Sequence, residues 1–346
     1  MAEATLVYGA GGMGREVAVH LRACGTPPLA FVDRRAAELG SVDGIAVLDA
    51  DTAWARHGAY QPRVVVATHS FAHPVAPLVT MLRAAGWSRV TTLWDYCAHS
   101  GWLPRRGFWL RPGLDARLHA PLIATTRARF ADTASRELFD ALCRLRFAGD
   151  YAGLPAPDPA HQYDPPDLPA LPEPLRFVDC GAYDGDTLRA LAARHRFADL
   201  IALEPDAASL PRLEETVRAL GVGRVLAAGV AEHDGTLRFA AGEGAGSHLS
   251  ADGAQTITVR ALDDVCAGMR VDYIKLDIDG AEPAALAGAI NTIANQRPRL
   301  AVSVYHEPEH LWTLPEQVAR WDLGYRLYLR SHGHNGFDTV LYAVPQ

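Results

Sequence analysis

Arg176-Phe177-Val178-Asp179-Cys180-Gly181-Ala182-Tyr183-Asp184-Gly185-Asp186-Thr187 is the stretch on which the architecture of this chain turns. A short apolar run ends in an acid and a glycine-bearing turn, and the amphipathic segment LRALAARH follows at once. Asp186 or Thr187 suits the cap of that helix, because a short polar side chain can accept a first-turn amide. Strand, glycine turn and helix in this order open a doubly wound α/β unit.

Working outward towards the C-terminus, the segments DLIALEPD (199–206), RVLAAGV (224–230), DYIKLDI (272–278), RLAVSVYHE (299–307), YRLYLRSH (325–332) and TVLYAVP (339–345) predict six further strands, with helices between the first five of the seven. The last two runs are joined by a short Gly-containing connection, so they predict an antiparallel hairpin at one edge of an otherwise parallel sheet. That ending is the mark of the methyltransferase variant of the doubly wound fold.

Working outward towards the N-terminus, a second alternation appears: LVYGAGG (6–12) as strand and turn, REVAVHLRAC (15–24) as helix, then LAFVDR (29–34), VVVATHS (64–70), a helix over VAPLVTMLRAAG (75–86), and VTTLWDY (90–96). Beyond about residue 97 the pattern weakens to one helix over ELFDALCRLRFAG (137–149) and a proline-rich run at 155–174 that reads as a semi-rigid linker. The expected fold class is therefore α/β with two doubly wound Rossmann-like domains. Residues 1–100 form a nucleotide-binding type, 101–174 a helical segment and linker, and 175–346 a seven-stranded sheet ending in the hairpin. A length of 346 residues agrees, since single cores usually stop growing at ~250 to 300.

Composition narrows the function classes. The chain is 49% hydrophobic and 21% charged, as soluble globular proteins are, and its 33 basic against 40 acidic residues give a net charge of -7. No Lys/Arg block offers the footprint that nucleic acid or an anionic membrane needs, so the expected partner is a small-molecule or glycan acceptor. Five scattered cysteines, with no C-x-x-C pair, fit thiols in a reducing compartment. With no basic-then-apolar leader and no run of ~18 apolar residues, a cytoplasmic location is expected. Nothing in the sequence sets an oligomeric state.

The candidate site lies at the carboxyl ends of the second series of strands, where doubly wound folds bind ligands. Asp179 is placed to meet an ammonium group, and the glycine turn and helix start a carboxylate. S-adenosyl-L-methionine carries both on its methionine tail. Glu204, 19 residues after Gly185, stands where a carboxylate accepts ribose hydroxyls. Asp277 and Asp279 end the next motif, and His306 and Glu307 come from the strand after it. An imidazole with its reference pKa of ~6.5 suits a general base, so His306 is the expected base. A Mg²⁺ version using Asp277, His306 and Glu307 stays open, although imidazole is an unusual Mg²⁺ ligand; the primary expectation is a site without metal. His310, His332 and His334 read as surface residues. Ser247 and His248, in GEGAGSHLS, read as either a flap over the ligand or a plain loop.

These runs, VDCGAYDGDT, ALEPD, VDYIKLDIDGAE, SVYHEPEHLW, GYRLYLRSH and DTVLYAV, together resemble the FkbM family of S-adenosylmethionine-dependent methyltransferases, over residues 177–344. The resemblance implies O-methylation of a sugar, glycan or polyketide-type hydroxyl. It also implies cofactor contacts from Asp179, Gly181, Asp184 and Glu204, with Asp277 between cofactor and acceptor. Tyr183, Gly185 and Thr187 of the same turn, and Pro205 and Asp206 after Glu204, complete the cofactor-binding candidates; His306, Asp277 and Asp279 are the catalytic ones. Asp279 stands where relatives often have Glu.

Gly9, Gly11 and Gly14 satisfy G-x-G-x-x-G in the first half, and Asp33 ends the next strand at the distance of a ribose-binding acid. Taken alone this predicts an NAD(P)-dependent oxidoreductase. The absence of a second half with a catalytic Lys, Tyr or Cys–His set favours instead a nucleotide or nucleotide-sugar module, or a purely structural domain.

Overall fold

The computed structural model describes residues 4–105, 107–240, 248–249, 253 and 255–346. By internal contacts the chain divides into a first unit, Met1–His119 with Asp140–Ala156 and Gly333–Phe337, and a second, Ala120–Phe139 with Pro157–His332 and Asp338–Gln346.

The first unit holds β1 (Thr5–Tyr8), β2 (Ala30–Val32), β3 (Ser41–Val42), β4 (Ile45–Leu48), β5 (Arg63–Val66) and β6 (Val90–Thr92), in the order β3-β4-β2-β1-β5-β6. All pairings are parallel except the edge pair of β3 with β4. Leu6, Val7, Phe31, Val64, Val65 and Val66 are buried, as expected for parallel strands covered on both faces. Helix Gly12–Ala23 packs through Val17, Ala18 and Leu21. The run VTTLWDY departs from its expected extent: the strand stops at Thr92, whose side chain accepts the Asp95 amide and starts the helix Leu93–Ser100. A hydroxyl N-cap ends the extended run there.

In the second unit β7 (Leu175–Cys180), β8 (Phe197–Leu203) and β9 (Arg224–Leu226) come first. A small sheet follows, of β10 (Gly229–Val230), β11 (Gly235–Ala240), β12 (His248–Leu249) and β13 (Gln255–Arg260), in the order β10-β13-β11-β12. Then come β14 (Tyr273–Leu276), β15 (Arg299–Ser303), β16 (Tyr325–Ser331) and β17 (Thr339–Pro345). The main sheet has all seven expected strands in the order β16-β17-β15-β14-β7-β8-β9, with β17 antiparallel to both its neighbours. The expected helix between β9 and β14 shrinks to the four residues Leu262–Val265, because QTITVR alternates with the period of a strand and pairs antiparallel with β11.

Two features of this unit position the site. From β7 the chain winds to β8 and β9 on one side, while β14 and β15 lie on the other, so a crevice opens between the carboxyl ends of β7 and β14. The proline-rich run, read from sequence as a linker, sends Tyr163, Leu168 and Leu171 into the unit's core beside Leu175, Phe177 and Tyr273. Among the described residues no helix is long and apolar enough to cross a membrane.

Candidate active site

β7 and β14 run parallel with Asp179 opposite Lys275, and both side chains are buried. Lys275 Nζ donates to Asp179 Oδ1 at 2.9 Å and to the Gly181 carbonyl at 2.7 Å. Its ammonium also lies 5.3 Å from the centre of the Tyr163 ring. Burial pushes the Asp179 carboxyl up to about 6, against the pull of Lys275. Lys275 itself is raised, because the charges of Asp179 and Asp277 outweigh its burial. Asp179 thus already has an ammonium partner within the chain, while its Oδ2 is buried without a hydrogen-bond partner. Such an atom is costly unless something satisfies it.

The turn after β7 is drawn in tightly. Gly181 has φ 76°, and a Cβ there would lie 2.0 Å from the Asp277 carbonyl oxygen, so only glycine lets the tips of β7 and β14 approach. The Gly181 and Ala182 amides donate to the Leu203 carbonyl, and Gly185 donates to Ala182. Asp184 pairs with Arg189 at 2.7 Å, and Thr187 is buried in the first turn of helix Asp186–Ala192.

Glu204, just past the end of β8, is buried and receives the Tyr183 amide at 2.9 Å and the Asp206 amide at 2.7 Å, one on each oxygen. Burial raises its carboxyl despite those amides. The acid therefore ties the turn after β7 to the loop after β8. Pro205 is half-buried and Asp206 buried, the latter accepting the Ala208 amide at 3.1 Å.

Across the crevice Asp277 accepts from Tyr163 Oη at 2.8 Å through Oδ2. Its Oδ1 lies 3.5 Å from Tyr305 Oη and 3.4 Å from His306 Nε2. Asp279, at φ 51°, places Oδ1 3.8 Å from the same imidazole nitrogen. The other nitrogen of His306, Nδ1, is 2.7 Å from Oε1 of Glu282, which is wholly buried and also accepts the Ile278 amide. Burial alone would lower His306, but Glu282 overrides it, helped by Asp279 and Asp277, and the imidazole is pushed up to about 10. Burial likewise acts to raise Glu282, and His306 and His310 hold it well below the usual carboxylate range. Such a shift favours the imidazolium form of His306, which has no lone pair to take a proton. Burial and the charge of Asp277 push Asp338, beside this cluster, up to about 6.

His310 and His332 are buried rather than on the surface. His310 Nδ1 lies 3.4 Å from Glu282, and His332 bridges the Asp158 carbonyl and Tyr342 Oη at 2.6 and 2.8 Å. Among the described residues no set of three or more His, Cys, Asp or Glu side chains is arranged to hold a metal ion. The expected flap falls mostly on residues 242–247 and 250, which lie outside the described residues, as does the side chain of His248. Lys275, Glu282, Tyr163 and Tyr305 join the site without being singled out by sequence. Lys275 and Glu282 sit inside IKLDIDGAE, so the motif pointed at them; nothing local pointed at Tyr163.

In the first unit Gly9 (φ 101°) donates its amide to Val32, and Gly11 begins the helix as its cap. A Cβ on Gly14 would meet the Gly9 carbonyl oxygen at 1.9 Å. Asp33 receives the Ala10 amide at 2.9 Å and is gripped by the Arg35 amide and guanidinium at 2.9 and 3.2 Å. Burial would raise this carboxyl, but those donors hold it below its ordinary value. The acid therefore closes the glycine turn of its own domain.

Residues 179–332 match the family described as the methyltransferase FkbM domain. No curated protein matches the chain. A methyltransferase FkbM from Methylobacillus flagellatus KT superposes with a TM-score of 0.82 at 22% identity, covering 99% of this chain and 90% of that one, which shows a shared fold. An rRNA methylase from Streptococcus thermophilus (TM-score 0.30, 14% identity, 51% of this chain and 90% of that one) and the SAH-bound methyltransferase PaMTH1 of Podospora anserina (0.32, 13%, 79% and 98%) are also similar. The second unit of this chain therefore carries, over residues 179–332, a methyltransferase domain of the FkbM family.

Proposed function

We propose that this domain transfers the methyl group of S-adenosyl-L-methionine to a hydroxyl oxygen of a sugar, glycan or polyketide-type small molecule. The observation that carries the reading is Glu204, a buried carboxylate at the tip of β8 with one amide on each oxygen and lone pairs left for two ribose hydroxyls. Asp179 Oδ2, buried and without a hydrogen-bond partner, fits an ammonium group on the same ligand. When bound, the cofactor supplies an electrophilic methyl carbon on a sulfonium.

The chain's own residues account for the rest. Asp277 accepts the proton of the acceptor hydroxyl, since a carboxylate within hydrogen-bond reach serves as a general base. His306, charged and fixed by Glu282, steadies Asp277 and Asp279 by charge and does not itself take the proton. Asp277, Asp279 and Asp338 offer only acceptors when ionised, which suits a hydroxyl-rich acceptor. Holding that oxygen in line with the methyl carbon supplies much of the rate through positioning.

In this reading the enzyme works in the cytoplasm, and the first unit takes a nucleotide or nucleotide-sugar, with no nucleic-acid or membrane partner. Nicotinamide chemistry has less support, because both Asp33 oxygens already bind Ala10 and Arg35. The test is calorimetric titration of the full chain with S-adenosylhomocysteine, then transfer of tritiated methyl to a panel of sugars, glycans and phenols. Absence of binding sinks the cofactor assignment, and label appearing only on nitrogen sinks the oxygen acceptor.

A further inference from the structure

We propose that Tyr163, from the proline-rich segment outside the family-matching span, is a positioning residue of the methyl-transfer site: its hydroxyl fixes the orientation of the Asp277 carboxylate. The proposal deepens the reading above and rests on it for the role of Asp277, but not for the existence of the link.

Tyr163 is held at every functional group it has. Its amide donates to Tyr342 Oη at 2.9 Å, and its carbonyl accepts from Tyr273 Oη at 2.6 Å. Its ring lies against Lys275 Nζ, and its hydroxyl donates to Asp277 Oδ2 at 2.8 Å. The residue adopts φ 69°, a left-handed conformation that costs a non-glycine residue roughly 1–2 kcal/mol, so the surrounding bonds must over-determine it. A tyrosine needed only to fill the core has no reason to hold this backbone while aiming its one polar atom at an acid 114 residues away.

The consequence for chemistry follows from the two oxygens of a carboxylate. With Oδ2 engaged by Tyr163, rotation of the group is stopped, and Oδ1 is the atom turned to Tyr305 and His306. A base held in one orientation needs no reorganisation when it receives a proton. Segment 157–174 is thereby part of the catalytic apparatus, anchored by Leu168 and Leu171 in the same core.

The test uses the full chain. Tyr163→Phe keeps the ring and backbone bonds and removes the hydroxyl alone; Tyr325→Phe, which loses a bond to the Pro298 carbonyl, is the control for losing a half-buried, hydrogen-bonded tyrosine hydroxyl. The carboxyl ¹³C resonance of Asp277, assigned by its disappearance in Asp277→Asn, is expected to move by more than its linewidth in Tyr163→Phe and to stay in place in Tyr325→Phe. An unmoved resonance in Tyr163→Phe, or an equal movement in the control, overturns the proposal. Should Tyr163→Phe fold poorly, 3-fluorotyrosine at position 163 keeps the hydroxyl, and its ¹⁹F signal must shift when Asp277→Asn is added; an unchanged signal is equally fatal. On any acceptor labelled in the tritium panel, Tyr163→Phe should lower kcat at least about tenfold with the KM for S-adenosylmethionine unchanged; an unchanged kcat overturns the positioning role. Failure of wild-type protein to bind S-adenosylhomocysteine would remove the cofactor reading while leaving the resonance experiment to judge the link.

Discussion

The sharpest consequence of the site is a loss of stability with rising pH that depends on one carboxylate. His306 is buried, 2.7 Å from the buried Glu282, and held protonated up to about pH 10. Below pH ~6.5 the imidazole is charged in the folded and unfolded chain alike, and the attraction to Glu282 contributes in full. Between there and about pH 10 the unfolded chain gives up the proton and the folded chain keeps it. The folded state then binds more protons, so stability falls as pH rises, by up to ~1.4 kcal/mol per pH unit. Integrated over that window the loss has a ceiling of ~5 kcal/mol, the same scale as the ~3–5 kcal/mol cost of stranding one member of a buried pair. The depressed carboxyl of Glu282 is the same attraction seen from its partner and is counted once. Glu282→Gln retains an acceptor for Nδ1 but removes the charge, and so removes most of the window. Urea denaturation followed by far-ultraviolet circular dichroism at steps from pH 6 to 9.5 measures this. The variant should be several kcal/mol less stable than wild type at pH 6, a gap of the size given for broken buried pairs, and the gap should close as pH rises. A gap that stays constant across the range would refute the claim that His306 is an imidazolium.

Other outcomes follow from the same geometry. Glu204→Ala should weaken S-adenosylhomocysteine binding at least about tenfold by calorimetry, ~1.4 kcal/mol or more; an unchanged affinity removes Glu204 from the cofactor site. Asp277→Asn should cost about 10²–10⁴ in kcat while leaving that affinity intact, the range for loss of a general base. Lys275→Met strands the buried Asp179 and should cost ~3–5 kcal/mol in urea unfolding, with Asp179→Asn added to it recovering a large part; additive losses would show the two do not act as a pair.

Much of the site's location is legible in single segments. The strand period and the glycine turn place Asp179, Glu204, Asp277 and His306 at the carboxyl ends of strands, and the structure gathers all of them at one rim of one sheet. The helix expected between β9 and β14 fails for a local reason: QTITVR alternates with period two and finds β11 as partner. Tyr163 is the opposite case. Seven prolines in residues 157–174 read locally as a linker, and only packing against Leu175, Phe177 and Tyr273 makes that run part of the core.

Sequence alone therefore determined the α/β class, the seven strands with their closing hairpin, and the residue types available at the strand ends, because periodicity and turn chemistry are local properties of the chain. Tertiary structure decided which of those residues meet, and in what charge state. Lys275 neutralises Asp179, Glu282 keeps a proton on His306, and Tyr163 turns Asp277, across separations of 96, 24 and 114 residues. The protonation of a buried group follows from the charges within a few ångströms of it and from the water it has lost, and both are settled only when distant strands lie side by side.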